Sequence, residues 1–437
     1  MRNTPIDASV VETKIRESGL ASLDTASIRE IVKLVNQIEK ETGEKYIRME
    51  MGVPGLPSPM VGINAEKAAL DDGVTALYPN IEGLPQLKSE TSRFIKLFLD
   101  IDVDPQACVP TVGSLMGGMV SFLVVNRNDS SKEGTLFIDP GFPVQKQQIK
   151  ILGQDYRSFD VYNYRGKKLE KKLESYLQTG KVSSILYSNP NNPSWICFTD
   201  EELEIIGRLA TKYDAVVIED LAYFGMDFRN NYGRPGKPPY QPTVAKYCDN
   251  YIMLISSSKA FSYAGQRVGM MVISDKLYNR RYPDLLRYYT TELFGHAMVF
   301  GALYALSAGV THTAQYGLHA MLKAVNDGEY NYIEDVKEYG EKARMMKQMF
   351  IANGFDIVYD TDIDRPIADG FYFTISFPGM SSGELLEKLL YYGVSAITLN
   401  ITGSDRKEGL RACVSVIPRT MFPLLEERLQ KFYNDFK

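Results

Sequence analysis

The sequence predicts an α/β protein with a large domain on a mostly parallel, helix-covered sheet and a smaller α+β domain assembled from both chain ends. Three observations carry that prediction. From about residue 60 to 325, short apolar runs alternate with helix-like segments, at Phe137-Ile138, Ser184–Tyr187, Ala215–Ile218 and Tyr251–Ile255. Alternation at this spacing places parallel strands beneath covering helices. After about residue 326 the texture changes to a long helix followed by mixed strands and helices. At 437 residues, finally, the chain is long enough for more than one core.

Taken in order, residues 1–23 show no clear period and read as an arm. Ser27 and Glu30 form a capping box, and Ile28, Ile31, Val32, Val35 and Ile38 then recur at helical spacing until Gly43. Tyr46 to Met51 reads as a short strand ending in the turn Gly52-Val-Pro-Gly55. A second box, Thr199 with Glu202, opens a helix with Leu203, Ile206 and Leu209 on one face. Arg229 to Pro242, rich in Pro, Gly and Asn, reads as a surface excursion. A helix over Tyr332–Ile351, strands at Phe355–Tyr359 and Phe371–Phe377, a helix over Gly383–Tyr391, a strand at Arg411–Ile417 and a last helix complete the chain. The expected division is 1–54 (arm and part of the small domain), 55–325 (large domain) and 326–437 (small domain).

Bulk properties exclude several classes. A net charge of −5 with no basic run offers nothing to nucleic acid. Residues 1–10 lack the apolar core of a secretion signal, and Met298–Val310 is too short and too broken by Gly and Ser to span a bilayer. Cys108, Cys197, Cys248 and Cys413 show no Cys-x-x-Cys spacing, which points to reduced packing thiols in the cytoplasm. His296, His312 and His319 fall in one presumed helical region without ligand-like pairing, so no metal is expected.

The stretch Ser256-Ser-Ser-Lys-Ala-Phe-Ser-Tyr-Ala-Gly-Gln-Arg-Val-Gly269 holds the chemistry. Lys259 follows a strand, where open α/β sheets place their ligands. Arg267 offers a guanidinium fork for a phosphate, and Ser256 a hydroxyl. Ser256-x-x-Lys259 also matches the serine–lysine pair of penicillin-binding enzymes, but the chain has no Lys-Thr-Gly, and its Tyr187-Ser-Asn189 precedes the pair. Four further motifs strengthen the lysine. Asn189-Pro-Asn-Asn-Pro-Ser194 and Glu219-Asp-Leu-Ala-Tyr-Phe-Gly225 each follow a strand. The first presents an asparagine able to bond a phenolic oxygen; in the second, Asp220 can keep a pyridine nitrogen protonated, with Tyr223 three residues on. Thr111-Val-Gly-Ser-Leu-Met-Gly-Gly118 leads into an apolar helix whose N-terminus suits phosphate. Asp139-Pro-Gly-Phe-Pro143 places Phe142 where a flat ring could stack.

With these motifs in this order, the chain resembles the class I/II aminotransferases, the aspartate aminotransferase group of fold-type I pyridoxal phosphate enzymes, from Gly52 to Arg411. The resemblance implies pyridoxal 5'-phosphate as cofactor, carried by Lys259 as a Schiff base. It implies that Asp220 pairs with the pyridine nitrogen, that Asn192 and Tyr223 hold the ring's phenolic oxygen, and that Phe142 stacks on the ring. Phosphate would be held by Gly113, Ser114 and Leu115 of the loop, by Ser256 and by Arg267. Arg411, with Gly52 beside it, would hold the substrate α-carboxylate. Tyr78 would reach the phosphate of a neighbouring subunit, making the enzyme a homodimer. The family's usual Asn-Pro-Thr-Gly is here Asn192-Pro-Ser-Trp195, so the turn lacks a glycine's freedom at positive φ. Trp195 would instead cover the cofactor or substrate entrance.

The resemblance implies transamination between an L-amino acid (aspartate, aromatic or other) and a 2-oxo acid such as 2-oxoglutarate, with ping-pong kinetics. β-Elimination, decarboxylation or racemisation would use the same anchor residues, and a cofactor-sensing role would need an added binding module. Arg287 lies in the region where a side-chain carboxylate would be read, beside Arg280 and Arg281. Phe142, Trp195, Tyr263 and Phe294 would equally suit a bulky or aromatic substrate.

Overall fold

The chain begins with a helix where no period announced one. The computed structural model describes residues 4–437; residues 1–3 of the expected arm lie outside the described residues. Asp7 accepts hydrogen bonds from Ser9 N and Val10 N and so caps α1 (Ala8–Glu17). Only Val11 of α1 is buried, which is why the sequence shows no apolar stripe there. The arm is held down by Ile6, fully buried, whose N–H donates to Tyr391 O at 3.1 Å.

The capping box of Ser27 and Glu30 opens α2 (Ile28–Thr42), which stops at Gly43 in the left-handed conformation. The next strand, β1 (Ile47–Arg48), is shorter than expected and pairs in parallel with Val394–Ser395. Beyond it, α3 (Met60–Asp71) and α4 (Pro85–Leu99) pack against the helix His312–Asn326.

The large sheet follows in chain order. β2 (Cys108–Thr111) leads into α5 (Gly113–Val125), β3 (Gly134–Asp139) into α6 (Pro143–Ile151), and β4 (Asp155–Asp160) into α7 (Lys168–Leu177). β5 (Val182–Ser188) precedes α8 (Asp200–Lys212), opened by the Thr199–Glu202 box, and β6 (Val216–Leu221) comes next. β7 (Tyr251–Ser256) runs straight into the single turn α9 (Ser257–Ala260), and β8 (Gly269–Ile273) closes the set. Their order is β2-β8-β7-β6-β5-β3-β4, with β8 antiparallel to both neighbours and every other pairing parallel. Every residue of β3, β5, β6 and β7 is buried, and these are the strands that read as apolar runs. β2 and β4 are the sheet's edges: one carries Pro110 and the other is half exposed, so neither has that signature.

The later part of the chain forms a second, antiparallel sheet in the order Ile397–Thr398, Leu410–Cys413, Tyr372–Ser376, Asp356–Ile357. The expected helices are present at Tyr332–Ala352, Ser382–Tyr391 and Phe422–Phe436, while the expected strands at Phe355–Tyr359 and Arg411–Ile417 shrink to Asp356–Ile357 and Leu410–Cys413. Two polar clusters tie the sheets together. Arg165 reaches both Glu202 and Asp362 at 2.7 Å, and Arg229 joins Asp227 to Asp362. Tyr359 Oη donates to Asp160 at 2.6 Å. The excursion from Arg229 is therefore pinned at its start, and at its end Gln241 is buried.

All four cysteines are free and buried. Among the described residues no group of His, Cys, Asp and Glu could hold a metal, and no helix is long and apolar enough to cross a membrane. Removing a cap tests the reading of α2. Ser27→Ala is expected to lower stability by about 1 kcal/mol, seen as a lower urea midpoint at unchanged m-value.

Candidate active site

Four adjacent strand ends meet at one edge of the large sheet: Asp139 of β3, Ser188 of β5, Leu221 of β6 and Ser256 of β7. This is the carboxyl end of the parallel strands, where the backbone leaves the sheet and side chains from neighbouring loops converge.

Lys259 is placed there by the abrupt change from β7 to α9. Ser256, the last residue of the strand, accepts a hydrogen bond from Ser258 N and caps the turn. Lys259 is partly buried; its amine donates to Gly52 O and lies 5.3 Å from the Phe371 ring centroid. Loss of water is the main cause that lowers its pKa to about 8; Arg411 and Arg267 push the same way and Cys413 opposes them. No carboxylate faces this amine as an ion-pair partner among the described residues. With its pKa at about 8, an appreciable fraction of the amine is neutral close to physiological pH.

The side expected to hold a phosphate is formed by β2, α5 and β8. Gly113 has φ +70°, and a Cβ there would lie 2.5 Å from Arg267 Nη2, so only glycine lets the loop lie against the guanidinium. A Cβ on Gly269 would likewise press on Ser114 N at 3.0 Å. Arg267, itself at φ +53°, donates from Nη1 to Ala264 O at 2.7 Å and is exposed. Ser114 and Leu115 lie in the first turn of α5, where backbone N–H groups have no partners within the helix.

Asp220, the fifth residue of β6, is buried. Gln145 Nε2 donates to its Oδ2 at 2.8 Å, and Ala222 N to its Oδ1 at 3.1 Å. Burial is the main cause raising its pKa to about 6, against those two hydrogen bonds. A protonated ring nitrogen brought to this carboxylate would supply the positive partner it lacks. Phe142 stands at the N-cap of α6, partly buried, one turn before Gln145.

The loop after β5 is fastened to the loop after β3, since Asn191 Nδ2 donates to Pro140 O at 2.8 Å while its Oδ1 accepts from Ser194 Oγ at 2.6 Å. Asn192 N donates to Ser188 Oγ, and Asn192 Oδ1 faces Arg411 Nη1 at 3.4 Å. Arg411, only 1% exposed, donates from Nη2 to Glu50 O at 2.8 Å. Its Nε is buried without a partner, so the fork is only partly used. Tyr372 lies beneath the guanidinium at 4.5 Å, and its hydroxyl accepts from Tyr223 Oη at 2.9 Å. A Cβ on Gly52 would strike the Tyr372 hydroxyl at 2.3 Å.

Several expectations need correction. Trp195 does not stand at an entrance: it is fully buried, edge-on to Tyr223 at 5.2 Å, and a Cβ on Gly370 would lie 1.8 Å from its indole. The turn keeps a left-handed residue even so, because Trp195 itself has φ +64°. Burial of the indole offsets a backbone strain of about 1 kcal/mol. Arg287 is exposed at the other end of the sheet: its neighbour Asp284 accepts from Ser130 N before β3, and Tyr289 donates to Leu123 O at the far end of α5. The 13 residues of α5, roughly 20 Å, lie between there and the phosphate loop. Phe294 is core at that same end, against Tyr282, and Tyr263 is bonded to Glu66. Tyr78, expected to act on a neighbouring subunit, is 92% exposed, which leaves that expectation standing.

Sequence reading missed Tyr372, Phe371 and Gln145. The first two sit in an all-buried stretch that reads as core. Gln145 had a usable signal, one helical turn after Phe142-Pro143.

Comparison with known proteins finds similar chains. The profile described as Aminotransferase class I and II matches residues 44–427. A probable aspartate aminotransferase of Methanocaldococcus jannaschii is 26% identical over 362 residues, covering 82% of this chain and 83% of that protein. An aromatic-amino-acid aminotransferase of Thermococcus litoralis is 26% identical over 259 residues, 58% of this chain and 61% of that one. The crystal structure of an aspartate aminotransferase from Thermotoga maritima superposes with a TM-score of 0.74 at 19% identity, covering 96% of this chain and 99% of that one.

In cofactor-free protein, acetylation of Lys259 followed by mass spectrometry is expected to rise through about pH 8, against about 10.4 for free lysine. The sign for stability follows: above about pH 8 the unfolded chain holds a proton that the folded chain has lost, so this residue's contribution to stability rises with pH until the unfolded amine titrates.

Proposed function

This chain belongs to the class I and II aminotransferases and is a pyridoxal phosphate-dependent transaminase, and on that footing we propose that it moves an amino group from an L-amino acid to a 2-oxo acid such as 2-oxoglutarate, by a ping-pong sequence at the site described. The observation that carries this reading is one lysine of lowered pKa set between a phosphate cradle, Gly113 with Arg267, and a half-used arginine fork, Arg411.

The residues fit the cofactor. Lys259 would hold it covalently, Asp220 would meet its ring nitrogen, Asn192 and Tyr223 its phenolic oxygen, and Phe142 its face. Gly113, Ser114, Leu115, Ser256 and Arg267 would hold its phosphate. When bound, pyridoxal phosphate supplies an electron sink for the bond broken at the substrate Cα.

The protein's own part is positional and acid–base. Arg411 binds the substrate α-carboxylate and so fixes which Cα bond points at Lys259. Lys259 Nζ, made easier to deprotonate by loss of water, takes the Cα proton. Asp220 stays ionised once a cationic nitrogen faces it. Asn192 Oδ1 helps aim the Arg411 fork.

We take residues 55–325 as the cofactor-holding domain, with 1–54 and 326–437 forming the small domain that brings Arg411. The exposed apolar side chains Met60, Leu70, Leu77, Tyr78 and Tyr304 support a homodimer in which Tyr78 reaches the partner's phosphate site. Four unpaired cysteines support a cytoplasmic setting.

An amino-donor panel with 2-oxoglutarate, including aspartate and aromatic amino acids, tests the reaction: labelled nitrogen must be found in glutamate. Lys259→Ala is expected to abolish turnover and borohydride trapping. Arg411→Lys keeps charge but loses the fork; at about 1.5–3 kcal/mol per charge-assisted bond it should lower kcat/KM by ten- to a hundredfold or more with cofactor still bound. Because Trp195 is the sole tryptophan and stands 5.2 Å from Tyr223, adding pyridoxal phosphate to cofactor-free protein should quench its fluorescence.

A further inference from the structure

Tyr372 touches both halves of the site. It starts the strand Tyr372–Ser376, whose neighbour Leu410–Cys413 pairs it with Cys413 and pairs Thr374 with Arg411. Tyr372 and Thr374 project from the same face, so the tyrosine ring comes to lie under the arginine side chain, 4.5 Å from its guanidinium carbon. Its hydroxyl meets that of Tyr223 at 2.9 Å, with the rings nearly perpendicular at 80°. Gly52 leaves room for that hydroxyl, and Trp195 closes the other side at 6.2 Å between rings. A buried phenol held this firmly between two functional side chains does more than fill space.

We propose that Tyr372 is a positioning residue that orients the Tyr223 hydroxyl and supports the Arg411 fork at once. The proposal rests on the reading that Tyr223 meets the phenolic oxygen of the cofactor. Each phenol has one proton to donate. In the structure Tyr223 donates to Tyr372. When the Tyr223 proton turns to the cofactor's phenolic oxygen, the proton remaining between the two tyrosines is that of Tyr372. The bond therefore reverses, and Tyr372 donates to the Tyr223 oxygen. A donor feeding that oxygen makes Tyr223 a stronger donor in turn. The phenolic oxygen is then better stabilised as an anion, and the bound chromophore loses its proton at lower pH.

The ionisable groups facing the pair are Arg411 and Cys413, both from the strand Leu410–Cys413. Lys259, from α9, feels the same two. Burial keeps both phenols protonated, Tyr372 with its pKa at about 12 and Tyr223 well above the ordinary tyrosine range. Neither hydroxyl ionises in the working pH range, so each keeps one proton to donate and the direction of their hydrogen bond is set by the ligand.

The test is a pH titration of the visible absorption band of the holoenzyme. Tyr372→Phe is expected to raise its apparent pKa by about half a unit, with the KM for the amino donor changed less than twofold because the ring remains under Arg411. Incorporation of 3-fluorotyrosine at 372, a stronger donor of nearly the same shape, is expected to lower the apparent pKa. Tyr372→Leu removes the ring and should raise KM about tenfold. Tyr223→Phe gives a larger upward shift, to which Tyr372→Phe adds nothing. If Tyr223→Phe shifts the band and neither change at 372 does, the positioning role is wrong and the reading of Tyr223 stands. If Tyr223→Phe also leaves the titration unmoved, that reading is wrong and this inference falls with it. The fluorinated protein keeps the wild-type shape and decides the matter should the Phe variant fold poorly.

Discussion

The constraint on which the rest of this structure depends is an amine withdrawn from water without a carboxylate to keep it charged. Lys259 follows directly on β7, and its Nζ lies between Gly52 O and the Phe371 ring. Two arginines reinforce the effect. A lysine so placed is costly in an apoprotein, since its cationic form is poorly solvated and its neutral form gives up a charge that water would stabilise. The surrounding architecture makes sense as a device for holding that amine in place: a deep parallel strand to set its height, a capped turn to set its direction, and a second sheet to keep water away.

The opposite polarity holds on the very next strand. Asp220 on β6 is an acid withdrawn from water with a neutral amide as its side-chain partner. A base without its anion and an acid without its cation, both opening on one edge of one sheet, are complementary to a ligand that carries an electrophilic carbon at one end and a protonated nitrogen at the other. The site is thus half of an electrostatic pairing whose other half pyridoxal phosphate would supply on the proposed reading.

What could be read beforehand follows from where information is local. Strands buried on both faces announce themselves as apolar runs, and helix starts announce themselves through Ser27–Glu30 and Thr199–Glu202. Lys259 and Asn192 closely follow strands and Asp220 lies near the end of one, so these three were legible once the sheet was, while Arg267, just before β8, was legible only from its spacing to Lys259. Edge strands β2 and β4 and helix α1 were not, because β2 is only four residues long and carries Pro110, the first four residues of β4 are not buried, and α1 buries Val11 alone. Tyr372 was hidden for a different reason: its importance comes from Tyr223 and Gly52, far away in the chain, while its immediate neighbours are ordinary core. Trp195 shows the limit of arguing from residue type alone. A tryptophan in the left-handed region is disfavoured locally, yet a cavity shaped by Gly370, Tyr223 and Tyr372 accepts it.

The Arg411 fork joins distant parts of the chain through the two carbonyl oxygens around it. Glu50 O belongs to the start of the chain, Asn192 Oδ1 to its middle and the guanidinium to its end, while β1 pairs with Val394–Ser395 to bring start and end together. A ribosome making this protein therefore releases the strands of the large sheet and the loops between them well before Arg411. The large sheet can assemble early, but the guanidinium meets Glu50 O and Asn192 Oδ1 only when translation is nearly over.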